Sequence, residues 1–332
     1  MELFAGVVLA LGVLDTLLLL GLAVRRIRLA RDARRHDEAL ARLRPLMLAF
    51  IEGEAALPED LPVADRGVLA DALGAYGRLV TGPARTRITR YFEEHGIVDE
   101  EIDALAHARH SWRRAAAAFR LGDMRAQAAE YWLIAALDDP TREVRSAALR
   151  SLGRLQSVGA VAPIVAAVAA GRVPVALARW AVLQAGTPAL PELRRVLDAP
   201  DPARRAGAVM LIGLLGDASD AGLVEARLRD TGAQVRVEAA RALGRLGADR
   251  SAARLVVALD DRVPAVRAVA AASLGRLRAD AVEPLLRLAV EDRFEVARAA
   301  AIAVAALDID AAAAHAGDSD HLRTAVALAR LA

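Results

Sequence analysis

The sequence predicts an all-α chain, an α-solenoid of six to seven stacked helical hairpins with a period of about 31 residues, preceded by one transmembrane helix. Three observations predict it. Between Val235 and Leu277 one 31-residue unit can be read twice, placing Val266 on Val235, Arg267 on Arg236, Leu274 on Leu243, Gly275 on Gly244 and Leu277 on Leu246. The composition is 55% hydrophobic but only 3% aromatic, so the apolar content is Ala, Leu and Val, which suits close helix stacking better than a sheet sandwich. Near the N-terminus, Leu3 to Val24 form a 22-residue run with a single charge.

At about 1.5 Å per residue that run is long enough for the roughly 30 Å hydrocarbon core of a bilayer. A cleaved signal peptide would carry basic residues before a shorter apolar core. Here Glu2 precedes the run, and Arg25, Arg26, Arg28, Arg31, Arg34 and Arg35 follow it, so 1–24 is expected to be a membrane anchor and 25–36 a basic juxtamembrane segment. The positive-inside rule then sets the N-terminus outside and the rest of the chain on the cytoplasmic side of the plasma (inner) membrane. The six arginines are candidates for anionic lipid headgroups, or for topology alone. Asp15, inside the run, is a candidate contact to another membrane protein, because a carboxylate there is costly without a partner.

The net charge of +2 divides unevenly. Residues 1–24 carry −2 and residues 25–35 carry +5, which leaves −1 for residues 36–332. That near-neutral remainder lacks the broad basic field of a nucleic-acid binder, and the pI of about 9.6 reflects arginine without lysine.

Residues 37–111 do not fit the 31-residue ruler and are expected to form an irregular helical cap. A helical pattern from Ile27 to Phe50 is interrupted at Pro45, and Glu52 to Asp65 reads as a loop. Helices follow over Arg66 to Val80, Pro83 to His95 and Glu100 to His110, with Pro83 at the first helical position and Gly96 at a C-cap.

From 112 to 332 the ruler returns. Arg267 leads on to Arg298, Arg236 back to Arg205, Gly244 back to Gly213, and Arg145 back to Arg114, with a slip of about two residues around Val175 to Pro202. Each unit has an apolar stripe at helical spacing, such as Val266, Val269, Ala270, Leu274 and Leu277, then a break, then a second stripe such as Val282, Leu285, Leu286 and Leu288. One such hairpin cannot bury both stripes alone, so it must stack on its neighbours. Asp139, Asp230, Asp261 and Asp292 each precede an arginine by six residues, Arg145, Arg236, Arg267 and Arg298. Recurring once per unit, they are expected to form a structural ladder, each acid capping a helix and pairing within its unit or with the adjacent one. Gly153, Gly213, Gly244 and Gly275 recur at the close of each first helix, where a small residue permits tight contact or a turn.

Chemistry is sparse. The chain has no cysteine, which excludes thiolate metal sites, thiol catalysis and disulfides. His107 with His110, and His315 with His321, match no recognised ligand spacing, and no phosphate-binding loop, dinucleotide fingerprint or nucleophile elbow occurs. No catalytic, cofactor or metal site and no small-molecule substrate is expected. The aromatics Trp112, Tyr131, Trp132 and Trp180 either fill core gaps or stand out as interface anchors. Arg194, Glu225, Arg254 and Arg287, on second helices expected to line a concave surface, are candidate partner contacts.

The pattern D-x-x-x-x-V-R-x-x-A-A-x-x-L-G-R-L, seen from Asp261 to Leu277 and approximately from Asp139 to Leu155, resembles the short HEAT-like repeat of the phycobilisome-lyase type. The layout of an apolar run, a basic stretch, an irregular helical segment and then repeats is similar to bacterial single-pass HEAT-repeat proteins often found with membrane glycosyltransferases. In that group Trp112-Arg113-Arg114 followed by Leu121-Gly122 would open the first repeat. The resemblance implies a membrane-tethered scaffold or adaptor, not an enzyme, that holds a protein partner, an integral membrane protein such as a glycosyltransferase. A bilin-lyase-like enzyme and, behind it, a nucleic-acid-binding HEAT protein are the alternatives such repeats allow.

Overall fold

The computed structural model describes residues 20, 23, 26, 30, 31, 33–58 and 61–331. The chain divides into two compact units, Met1–Glu100 and Glu101–Ala332, and among the described residues it is helical with no strand.

In the first unit, helix α1 covers 33–52, α2 is Val63–Gly77 and α3 is Pro83–Glu94. Ala39, Leu43, Met47 and Ile51 repeat at a four-residue spacing on α1 and are all buried, together with Leu69 and Leu73 of α2 and Ile88, Tyr91 and Phe92 of α3. This stripe carries α1 straight through Pro45, where the sequence predicts an interruption. The buried residues on both sides hold the helix across the one backbone bond that proline cannot make. The last carbonyls of α1 find a partner in Arg87 of α3, whose guanidinium donates to Phe50 at 3.2 Å and to Ile51. Pro83 opens α3 behind Gly82 at φ 61°, and Gly96 closes the following turn at φ 67°.

The expected membrane anchor requires correction. Among the described residues no helix is long and apolar enough to cross a membrane. A span needs about 20 consecutive apolar residues, and α1 instead carries Arg34, Arg35, Arg42 and Arg44 along its length. The topology inferred from that anchor, an outer N-terminus with the repeats on the cytoplasmic face, falls with it. Residues 1–19, Asp15 among them, and Arg25 and Arg28 lie outside the described residues; Arg26, Arg31, Arg34 and Arg35 are exposed.

Helix α4 (Ile97–His107) leads into the second unit. There the first helices of successive hairpins are α5 (Ser111–Met124), α7 (Arg142–Leu155), α9 (Val175–Ala185), α11 (Pro202–Leu215), α13 (Ala233–Arg245), α15 (Pro264–Leu277) and α17 (Phe294–Leu307). The second helices are shorter: α6 (Glu130–Ala135), α8 (Val161–Ala169), α10 (Leu190–Val196), α12 (Ala221–Ala226), α14 (Ala252–Ala258), α16 (Val282–Glu291) and α18 (Ile309–Ala314), several entered through a 3-10 turn. A final helix, α19 (Asp320–Ala329), packs on α17 as a further first helix would.

First helix stacks on first helix along this solenoid, and Ala accounts for much of the contact, as with Ala147, Ala148, Ala239, Ala240, Ala270 and Ala271. The recurring glycines set the closest approach. A Cβ on Gly213 would lie 2.5 Å from the Cβ and 2.8 Å from the Cα of Ala242, and one on Gly244 would lie 3.1 Å from the Cα of Ser273. Gly122 meets Ser151, Gly275 meets Ala303, and Gly153 lies beneath the Trp180 ring and Ala181. None of the five has positive φ, so their role is proximity between helices, not a turn. Three non-glycine residues, Arg125, Gln156 and Arg278, take the left-handed conformation at C-caps of first helices.

Candidate interaction surface

The arginine and aspartate ladder forms between neighbouring repeats, with a fixed geometry. Arg114 grips Asp139, Arg205 grips Asp230, Arg236 grips Asp261 and Arg267 grips Asp292, each acid lying in the repeat that follows its arginine. Each pair is two-pronged, with Nε to Oδ2 at 2.6–2.8 Å and Nη2 to Oδ1 between 2.6 and 3.2 Å. The Asp and Arg six apart in the sequence are joined differently. Arg145, Arg236 and Arg267 donate through Nη1 to the backbone carbonyls of Asp139, Asp230 and Asp261, while the carboxylates reach back to the preceding repeat. Oδ1 also accepts the backbone N–H of Thr141, Gly232 and Val263 at 2.8 Å, fixing the turn into the next first helix.

The ladder is open in three places, one of them between α9 and α11, where Ala199 stands at the position of the acid. Arg145 would need an acid at position 170, where the sequence has Ala170, and its Nε donates instead to the carbonyl of Arg172 at 2.7 Å. Arg298 is exposed and makes no ion pair with a described residue, and position 323 is Arg323.

Paired carboxylates titrate low. At Asp230 and Asp292 the hydrogen bonds from Arg205 and Arg267 lead, and they hold both groups below the ordinary carboxylate range. At Asp139 and Asp261 burial pushes the other way and is the largest single influence, but Arg114 and Arg236 with the turn N–H groups outweigh it.

The second-helix charges are also committed between neighbours. Arg194 pairs with the buried Asp220 at 2.8 Å, Arg254 and Ser251 both bind Glu225, and Arg287 reaches Asp260 at 3.1 Å. Arg227 with Asp198, and Arg172 with Asp138, extend the same device. Of these acids only Glu225 stands out in the sequence, since the separations from the arginines vary from pair to pair and do not recur as one motif. Arg194, Arg254 and Arg287 are each paired in this way while remaining 41%, 54% and 54% exposed.

The aromatic side chains are placed otherwise. Trp112 is 68% and Tyr131 71% exposed, Tyr131 meets Trp132 edge to face at 5.4 Å, and His110 stacks near Trp112 at 6.4 Å. Trp132 also lines a cleft of about 500 Å³ with Leu105, His107, Arg114, Ala135 and Pro140. Trp180 lies across Gly153 between repeats and is 38% exposed, close to the 36% of Trp132. No group of three or more metal-ligating side chains comes together among the described residues.

The family profile of HEAT repeats matches residues 98–185 and 221–306. The gap between the two matches spans α10 and α11, beside the slip in the ladder. Among solved structures, a mutant form of Kap121p is similar at 12% identity and a TM-score of 0.57, covering 82% of this chain and 34% of that one. The chain therefore spans about a third of the length of Kap121p, and the likeness is one of fold. Human deoxyhypusine hydroxylase is similar at 19% identity and a TM-score of 0.33, covering 81% of this chain and 97% of that one. The CpcE and CpcF complex of phycocyanin lyase from Nostoc is similar at 21% identity and a TM-score of 0.30, covering 75% and 91%. No curated protein matches the chain.

Proposed function

The chain belongs to the HEAT-repeat family, and from that premise we propose that it is a protein-binding scaffold, without a reaction of its own, whose first repeats carry a docking surface. The observation behind this reading is the exposure of Trp112, Tyr131 and Trp132 around the cleft near His107. Aromatic side chains of this size are costly in solvent and dominate interface energetics when they are covered. Elsewhere in the repeats the second-helix charges already have partners within the chain.

The test is affinity capture with the full chain beside two double variants. Trp112→Ala with Trp132→Ala is expected to lose bound protein by about tenfold or more, the effect of removing one or two anchor residues. Arg254→Ala with Arg287→Ala is expected to retain it. Equal recovery by the tryptophan variant, with an unchanged circular dichroism spectrum, would sink the assignment of docking to the first repeats.

A further inference from the structure

Four arginines gather on the first-helix face, and three of them lack the carboxylate that every closed rung of the ladder has. Arg241 and Arg245 lie one turn apart at the end of α13, and Arg276 holds the position of Arg245 one repeat later, at the end of α15. The close approach of Gly244 to Ser273 sets these two helix ends side by side. Arg179, exposed on α9, contributes to the same field. Among the described residues Arg179, Arg245 and Arg276 make no ion pair, in contrast to Arg205, Arg236 and Arg267. A single carboxylate, Glu238, faces the group. It is 7% exposed and already accepts from Arg241 and from the Gln234 amide at 3.0 Å. Its other oxygen is buried without a hydrogen-bond partner. Four guanidiniums against one carboxylate leave a local charge of +3, most of the net charge of +4 that residues 101–332 carry with 31 arginines against 27 aspartates and glutamates.

We propose that this face is a docking site for an acidic, partly apolar segment of a partner polypeptide. It lies away from the cleft of the first repeats and does not depend on the docking proposed there. The row that ends in Arg245 and Arg276 begins one repeat earlier, on α11, with Leu214, which is 37% exposed. The apolar edge of Trp180 lies next to Arg179 in the chain. Carboxylates meeting the arginines and an apolar side chain meeting Leu214 therefore complement the surface. A nucleic acid is the poorer fit, because its phosphates would continue past four arginines onto a unit studded with paired carboxylates. Like charges gathered without counterions oppose folding. Burial first, then Arg241, Arg276 and Arg179, against the pull of Glu238, depress the affinity of the Arg245 guanidinium for its proton.

The test uses the full chain and fluorescence anisotropy with three probes: a labelled peptide of glutamates around one leucine, the same peptide with lysines in place of glutamates, and oligothymidine. The wild type is expected to bind the acidic peptide alone, more weakly as salt rises. Arg245→Glu with Arg276→Glu is expected to weaken binding tenfold or more, Arg245→Lys with Arg276→Lys to retain most of it, and Arg287→Glu to leave it unchanged. Arg245→Gln separates this role from a structural one: relief of the repulsion is expected to leave the melting temperature unchanged or raise it by about 2 °C. Wild-type and charge-reversed chains binding the acidic peptide equally would overturn the proposal. So would oligothymidine binding at least as tightly as the peptide, or a fall of several degrees in the melting temperature of Arg245→Gln.

Discussion

At the residue scale the controlling unit is one guanidinium held at three points: two carboxylate oxygens of the next repeat and one carbonyl at the start of its own. Arg236 shows it most completely, with Asp261 at 2.7 and 3.0 Å and the carbonyl of Asp230 at 2.9 Å, and it is 6% exposed. Removing it strands a half-buried carboxylate. Arg236→Ala is expected to cost about 2–4 kcal/mol in urea unfolding, and Asp261→Asn less, because the amide oxygen can still accept from the turn. The acids give the ladder a pH dependence of known sign. Their folded-state affinities for protons are lower than in the unfolded chain, so their contribution is complete above the ordinary value of about 3.9. It is lost as the pH falls from there through the lower folded values. The urea midpoint of the wild type should drop steeply below about pH 4, and that of Arg236→Ala should drop less; parallel curves would remove Asp261 from the account. The ladder's existence was legible from the regular recurrence of Asp ahead of Arg, but its wiring was not. An acid that pairs forward within its own repeat and one that pairs back into the preceding repeat produce the same periodic sequence, and only the helix stacking separates them. The aromatics were ambiguous for a related reason, since at repeat spacing a large side chain fits either a gap, as Trp180 does over Gly153, or the outer surface, as Trp112 does.

At the element scale the first helices carry the fold and the second helices close it. The first helices were legible because several turns of alanine-rich periodic pattern end each time on the same Leu-Gly pair, or on a close substitute. The second helices were placed less well, because several, such as α12 and α14, are barely two turns long and follow a 3-10 turn too short to show a period. The glycines that end the first helices act by absence of a side chain. Gly213→Ala gains about 1 kcal/mol in helix propensity but sets a methyl 2.8 Å from the Ala242 Cα. Because backbone cannot swing aside, overpacking of about 1–3 kcal/mol is expected to prevail. A melting temperature above wild type would show that the helices can part at no cost. Gly222, with open space around its Cβ position, is the matched control and should gain stability on the same substitution.

At the scale of the whole repeat unit, stability is carried from neighbour to neighbour, so one weak joint separates what lies on either side. That joint is at the third hairpin, where Arg145 has no acid to grip and α11 leans on α8, with Val165 against Gly207. All three tryptophans fall between 112 and 180, on the N-terminal side of α11. Fluorescence therefore reports the first repeats, while far-ultraviolet dichroism reports every helix. Urea transitions followed by the two are expected to separate, and coincident curves would mean that the joint is as strong as the closed rungs. The closed joints have a different consequence. Each arginine finds its acid, and each glycine its small neighbour, in the hairpin that follows, so no lock reaches beyond the next unit. Excision of residues 235–265 would leave Arg205 on Asp230, bring Arg267 to the place of Arg236, and set Ser273 opposite Gly213, the match already made by Ser151 and Gly122. In the gene, gain or loss of one whole repeat's worth of codons is a change the fold hardly registers. Loss of two codons would instead shift each later arginine out of register with its acid.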